Sequence, residues 1–406
     1  MRKFPLMQKA ARVAFAVLVV AMLFLFFSND FGLVDIHKAS IVVAVGVDVT
    51  ENGYEVTAQA AVPTPAQSGS NEQYTQVTGS GATVADAVDD INAKTGFYPK
   101  LAFCNLVILG ESCAEQNIFT VLDYFYRNDY VPLTALVSMC GGSAKDLLGK
   151  KPSDGSMSAS AIQRAMSEEL RNSANASTIN LKLLAQDGGS PSAAVYMPYI
   201  TAQTEGGGSE RSASSGSQGS GGTSGGSAGG EQGKSSEGAA QFTCFTTAAF
   251  SRGRFVGILD EDQAFALNLL CSSVRLAVVN SVCDGENYTV GLKNNSAELK
   301  MGEEGGAPLL KIKYRALANV QAAESKPAAE GSANSHLVSQ EVLNATAKTV
   351  EERINSLLSF CRENKCDLLG TERMLYQFRH KDYQKFKDDV LSVLKVEYDI
   401  KIKSVR

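Results

Sequence analysis

From Glu205 to about Gly238 the chain offers almost no apolar side chain, reading EGGGSERSASSGSQGSGGTSGG and continuing in the same Gly/Ser-rich manner. Such a stretch cannot bury enough apolar surface to offset the entropy lost on ordering, so it is expected to act as a flexible tether. Whatever folds must therefore be built from the residues on either side of it. Gly233-Lys234-Ser235 imitates the end of a phosphate-cradling loop, but Ala228 stands where that pattern needs its first glycine. No apolar strand precedes the motif and no helix pattern opens at Lys234, so the phosphate reading fails.

The other boundary is at the start. Arg2, Lys3, Lys9 and Arg12 precede an unbroken apolar run from Val13 to Phe27, after which Ser28, Asn29 and Asp30 return the chain to water. Basic residues followed by an apolar run describe a secretory signal or signal anchor, and no small-x-small cleavage site follows. The expectation is an uncleaved anchor helix from about Ala10 to Phe27, with the basic residues on the cytoplasmic side and everything after Ser28 outside. With 406 residues the chain exceeds one ordinary core. The expected division is 1–30 as anchor, 36–150 as an N-terminal α+β domain, 151–203 as a second small domain, 204–240 as the disordered linker, and 241–406 as a C-terminal α+β domain.

Local patterns fill these units. Ser40–Val49 and Tyr54–Val62 read as a hairpin turning at Asn52-Gly53. Thr83 caps a helix through Ala93, Leu101–Leu109 is a strand followed by a helix from Glu111, and Ser143 caps a short helix. Val195–Ile200 contains Pro198 and is expected as an edge strand or an extended segment. Beyond the tract, strands are expected over Phe242–Phe250, Arg254–Leu259, Val274–Val282, Tyr288–Leu292, Leu309–Tyr314 and Val396–Ile402. Helices are expected over Asp260–Leu270, Val338–Cys361 and Lys381–Leu394. Strands and helices in this irregular alternation point to an α+β class rather than a doubly wound sheet.

Composition narrows function by exclusion. Net charge is −5, from 38 basic and 43 acidic residues, which leaves no basic field for nucleic acid. The eight cysteines form no Cys-x-x-Cys and stand apart from the three histidines, so no metal is expected. Cys104, Cys140 and Cys271 sit in apolar runs as small hydrophobes, while Cys361 and Cys366 are spaced to bridge across a helix end. His37, His336 and His380 read as surface or capping residues, and Asp123, Asp146 and Asp260 to Asp262 as helix-start acids. No nucleophile, base and orienting acid are seen to converge, so neither catalysis nor a cofactor is expected.

A series of short blocks recurs in order: Ile41–Asp48 with Tyr54–Thr57 and Gln59; Phe103 through Leu106–Ile108 to Gly110-Glu111; Ala144–Leu148; Met197–Ile200; Gly253–Asp260; and Cys366–Gly370. On these residues the chain resembles the Ger(x)C family of spore germinant-receptor C subunits, along nearly its whole length outside the Gly/Ser tract. The resemblance implies a mixed α/β ectodomain on the outer face of the inner spore membrane, without established catalysis. It also implies a multi-span membrane subunit and a second membrane subunit as partners. The family carries a lipid on a cysteine just after the apolar run, whereas the first cysteine here is Cys104. The resemblance is thus to a divergent member, in which the N-terminal helix is expected to replace the lipid. Its closing region, Phe378 to Tyr383, also lacks the family's usual Pro and Trp. The candidate positions are Gly46, Gly110, Gly257 and Gly370 at turns or close contacts, Asp48, Glu111 and Asp367 as the polar groups fixing those turns, and the motif residues Asp146 and Pro198. Two other readings remain: an extracytoplasmic solute- or wall-binding protein, and a cell-envelope hydrolase.

Overall fold

A computed structural model describes residues 4–28, 39–61, 74–96, 98–166, 174–204, 239–324, 338–387 and 389–405. The Gly/Ser tract, His37 and His336 lie outside the described residues. Phe4–Ser28 is one helix, α1. Among the described residues no helix is long and apolar enough to cross a membrane. In α1 the side chains are described only from Arg12 to Phe24, about 20 Å of helix against a hydrocarbon core of about 30 Å.

The apolar run after α1 becomes β1 (Ala39–Thr50), which turns back into β2 (Gly53–Ala61) and continues to β3 (Tyr74–Gly81). Thr83 and Asp86 form a reciprocal capping box at the start of α2 (Val84–Thr95). The strand expected over Leu101–Leu109 is divided: β4 (Tyr98–Lys100), a 3-10 turn at Leu101–Phe103, then β5 (Leu106–Leu109). The turn closes through the Cys104 N–H on the Leu101 carbonyl at 2.9 Å. The helix expected from Glu111 is also postponed. A second 3-10 turn covers Glu111–Glu115, and α3 (Ile118–Arg127) starts only where Asn117 accepts from the Phe119 N–H.

Next come β6 (Leu136–Cys140), α4 (Ala144–Gly149), α5 (Ser158–Ala165), α6 (Leu181–Gly188) and β7 (Ala194–Thr204). After the tract follow β8 (Ala240–Ser251), β9 (Arg254–Leu259) and α7 (Glu261–Cys271). The chain ends with β10 (Leu276–Cys283), β11 (Glu286–Glu304), β12 (Ala307–Ala323), α8 (Gln340–Glu363), α9 (Thr371–Phe378), α10 (His380–Phe386), α11 (Val390–Val393) and β13 (Lys395–Ser404). The single helix expected over Lys381–Leu394 is thus two short ones. The fold is a mixed α+β assembly of two sheets.

The first sheet runs β3-β2-β1-β5-β6-β7-β8-β9, with β4 beside the start of β1. Its centre, β1, β5, β6 and β7, is parallel, and antiparallel pairs flank it on both sides. Val45, Val47, Val107 and Leu109 face a core shared with α2 and α3, whereas Ala44, Leu106 and Ile108 face one shared with α4 and α5. Burial on both faces is why β1 and β5 read as continuous apolar runs. The second sheet, β10-β11-β12-β13, packs with α7 and α8 around a third core.

Two features differ from the sequence reading. β7 and β8 pair antiparallel, with Thr204 opposite Ala240, so the tract joins neighbouring strands and the division at 204–240 runs through a sheet. Loop-closure entropy rises only slowly with length, so a long polar insert between paired strands costs little extra. Pro198 lies in an interior strand, not at an edge. The β6–β7 ladder begins only at Tyr199, one residue beyond it, because β6 is bonded earlier to Ile179. At Pro198, therefore, a missing N–H breaks no ladder bond to β6.

The β8–β9 hairpin turns through Arg252 and Gly253 at φ 52 and 78, and the β10–β11 hairpin through Asp284 and Gly285 at φ 52 and 80. They differ in surroundings. A Cβ on Gly253 would lie 2.3 Å from Asn117 Oδ1, whereas one on Gly285 would meet nothing within 4 Å. Gly285→Ala should cost about 1 kcal/mol for its left-handed backbone, and Gly253→Ala clearly more because it also displaces the α3 cap. Paired thermal unfolding of the two variants checks this, and equal losses would refute the crowding.

Candidate functional site

Five of the nine candidate residues come together where β1, β5 and β6 end. The Asp48 carboxylate is 6% exposed and accepts from the Ser143 hydroxyl at 3.0 Å, the Ala144 N–H at 2.8 Å and the Lys145 N–H at 3.0 Å. The two N–H groups are donors that the first turn of α4 leaves without intrahelical partners, and Ser143 is its N-cap. Gly110 must be glycine here, because a Cβ would stand 1.8 Å from Asp48 Oδ1. Gly46 lets α4 approach β1, since its Cβ would lie 2.9 Å from the Ala144 Cβ. Glu111 clasps Gly142 from both sides: Oε2 accepts the Gly142 N–H at 2.9 Å, and the Glu111 N–H donates to the Gly142 carbonyl at 2.8 Å. Asp146 is exposed in the first turn of α4, and its N–H donates to Ser143 Oγ at 3.4 Å.

A neighbouring residue repeats the device. Gln59, fully buried on β2, accepts the Ala159 N–H at 2.9 Å and donates to the Leu148 carbonyl at 3.3 Å. It thereby closes the end of α4 and the start of α5 together.

Asp367 and Gly370 build a second junction. Asp367 Oδ1 accepts from the Thr371 N–H and hydroxyl, both at 2.9 Å, and Oδ2 from the Glu372 N–H at 2.7 Å and the Ser192 hydroxyl at 2.6 Å. Gly370 holds φ 69 just before α9 and donates to the Asp367 carbonyl. Arg373 pairs with Asp187 at 2.9 Å, so side chains from both sides of the tract meet here around a cavity of about 130 Å³. Burial raises the Asp187 carboxyl and Arg373 partly offsets it. Gly257 lies apart from both junctions, at a bulge in β9, where a Cβ would touch the Phe360 ring at 3.2 Å. Pro198 is in β7.

The remaining sequence candidates are dispersed. His380 sits between Tyr376 and Tyr383, Asp123 pairs with Arg127, and Asp260 caps α7. Asp262 pairs with Arg353 at 2.9 Å, and the Arg353 guanidinium lies over the Phe265 ring. These three line a second cavity of about 290 Å³ together with Glu261, Asn280 and Phe245. Asp260 to Asp262 stood out in the sequence only as helix-start acids, and no sequence pattern marks the cavity itself, Ser192 or Asp187. All eight cysteines are free thiols, which corrects the possible Cys361–Cys366 bridge. The Cys366 thiol instead donates to the Phe250 carbonyl.

Replacing Asp48 by Ala leaves those donors facing an apolar wall, and a loss of about 3 kcal/mol is expected in denaturant unfolding. Glu372 supplies a pH test. Burial, then the Asp367 charge, pushes its carboxyl up to about 7. A folded-state value above the unfolded one means that protonation favours the fold. This contribution is present at pH 4 and is lost as pH rises through about 7. Glu372→Gln should therefore gain melting temperature relative to the parent as pH goes from 5 to 8. A difference constant with pH would contradict it.

Comparison with known proteins places these features in a family. Residues 33–202 match the family model described as the spore germination protein N-terminal domain, and residues 246–406 match the spore germination B3/GerAC-like C-terminal model. Spore germination protein B3 of Bacillus subtilis (strain 168) is 22% identical over 383 residues, covering 91% of this chain and 92% of that protein. The crystal structure of the GerBC protein is similar in fold, with a TM-score of 0.50 at 18% identity, over 92% of this chain and all of that one. The two models flank the Gly/Ser tract and between them take in both capped junctions, and on that basis the chain belongs to the Ger(x)C family of spore germination proteins.

Proposed function

We propose that this chain is a non-enzymatic, outward-facing subunit of a membrane germinant-receptor complex and contributes to spore germination in response to nutrients. The observation that carries the reading is the pair of family matches, in order, over 33–202 and 246–406. A multi-span membrane subunit and a second membrane subunit complete the complex in this proposal. The chain is held at the extracytoplasmic face of the inner spore membrane by α1. The helical backbone of α1 runs 25 residues, about 37 Å, and its basic residues precede its apolar run.

The chemistry of the junctions supports a binding role over a catalytic one. Asp48 and Asp367 already accept three and four hydrogen bonds, so their oxygens are engaged in holding helix ends rather than open to a substrate proton. Burial pushes the Cys104, Cys113 and Cys366 thiols up to about 12, far from the thiolate a nucleophile needs.

Deleting the gene should leave sporulation normal and slow the germination of the resulting spores in at least one nutrient, read as loss of refractility. Normal germination with every nutrient would remove the receptor reading. The cavity of about 290 Å³ beside Arg353, Asp262 and Phe265 favours one second reading, an extracytoplasmic solute-binding protein. A ligand-dependent rise in melting temperature, with germination unchanged by the deletion, would select it.

A further inference from the structure

The parallel strands β1, β5 and β6 all start at one end of the first sheet, opposite the end that holds Asp48 and Gly110. The starting end exposes apolar side chains on adjoining connections. Phe103 is 55% exposed in the 3-10 turn before β5, Tyr130 and Leu133 are 69% and 47% exposed before β6, and Leu183 is 46% exposed on α6. Backbone bonds hold these connections together: the Leu136 N–H donates to the Asn105 carbonyl, and the Lys182 N–H to the Leu133 carbonyl. Single exposed apolar residues are ordinary, but four on neighbouring connections make a patch. Lys182 is exposed and Lys100 half-buried at the same end, and neither joins an ion pair among the described residues. Asp129 is the one acid in the loop before β6.

Position in the chain says what covers this patch. Residues 29–38 alone join α1 to β1, a reach of at most about 40 Å. β1 enters the sheet at this end, where Ala39 pairs with Tyr98 in β4. If α1 lies in a bilayer, the patch is the part of the first sheet that the linker holds nearest to it. Tyr and Phe favour the headgroup boundary, and lysines favour anionic headgroups. From this geometry, and resting on the membrane reading of α1, we propose that this end of the sheet docks on the lipid surface. Phe103, Tyr130, Leu133 and Leu183 then enter the interface, with Lys100 and Lys182 against anionic headgroups.

The chain contains no tryptophan, so one introduced tryptophan reports without background. Full-length Tyr130→Trp, Phe103→Trp and, at the far end of β1, Thr50→Trp are placed in phosphatidylcholine/phosphatidylglycerol vesicles with or without brominated acyl chains. Thr50→Trp, far from the patch, serves as the control and should keep its emission. The two patch variants should lose about half of theirs to the brominated lipid, and less when phosphatidylglycerol is left out. If the protein floats with the vesicles but the patch variants are quenched no more than Thr50→Trp, the docking surface is wrong and the anchor stands. Failure to float overturns both. A blue shift that grows with protein concentration, without bromine quenching, assigns the patch to a second copy and also overturns the proposal.

Discussion

A carboxylate withdrawn from water loses solvation worth several kcal/mol, and Asp48 recovers it by accepting three hydrogen bonds, two from the first turn of α4 and one from its N-cap Ser143. The arrangement works only because nothing stands between strand and helix. Gly110 keeps the space beside the carboxylate, and Gly46 lets Ala144 come down onto β1. Gln59 does the neutral equivalent for α5. Helices of six and eight residues are too short to persist alone. Here their end groups are satisfied by polar side chains of the sheet, so α4 and α5 are fixed to one face of it rather than merely packed there.

Asp367 extends the same logic across the Gly/Ser tract. It closes the start of α9 while accepting the hydroxyl of Ser192, a residue on the other side of the tract. The Asp187–Arg373 pair lies beside it and is partly exposed, so it contributes less than the buried carboxylate. The β7–β8 ladder and the contact of the β8–β9 turn with Asn117 join the two sides again. A tract of that length between partner strands is tolerable because the folded parts are held together elsewhere.

What was legible in the sequence was local. Thr83, Ser143 and Asp260 sit within a few residues of the N–H groups they accept, and the hairpin at Asn52-Gly53 carries its own turn chemistry. The glycines at 46 and 110 were recognisable as close contacts, but not the groups they make room for. Asp48 reaches donors 95 to 97 residues away, and Ser192 meets Asp367 across 175, separations at which no periodicity carries information. Strand length is hidden from the sequence for a related reason. β11 runs to Glu304 through Lys, Asn and Glu residues, held by its pairing with β12 rather than by apolar content, so a reading based on apolar alternation stops at Leu292.

Strand direction ties the two ends of the first sheet to different tasks. Parallel strands gather their outgoing loops at one end, and in open parallel sheets that is the end where ligands are usually met. In this chain that end holds the capped corner of Asp48, Glu111 and Ser143, where Asp48 is engaged by Ser143 and the start of α4 and Glu111 by the Gly142 backbone. The chain's way in, through 29–38 and Ala39, is at the opposite end, about 30 Å from Asp48 along β1. In the proposed arrangement, with α1 as an anchor on that side, the capped corner would face away from the bilayer. A partner recognised there would meet a rigid surface fixed by buried caps, and its affinity would rest on shape and exposed charge such as Asp146 rather than on a reactive group.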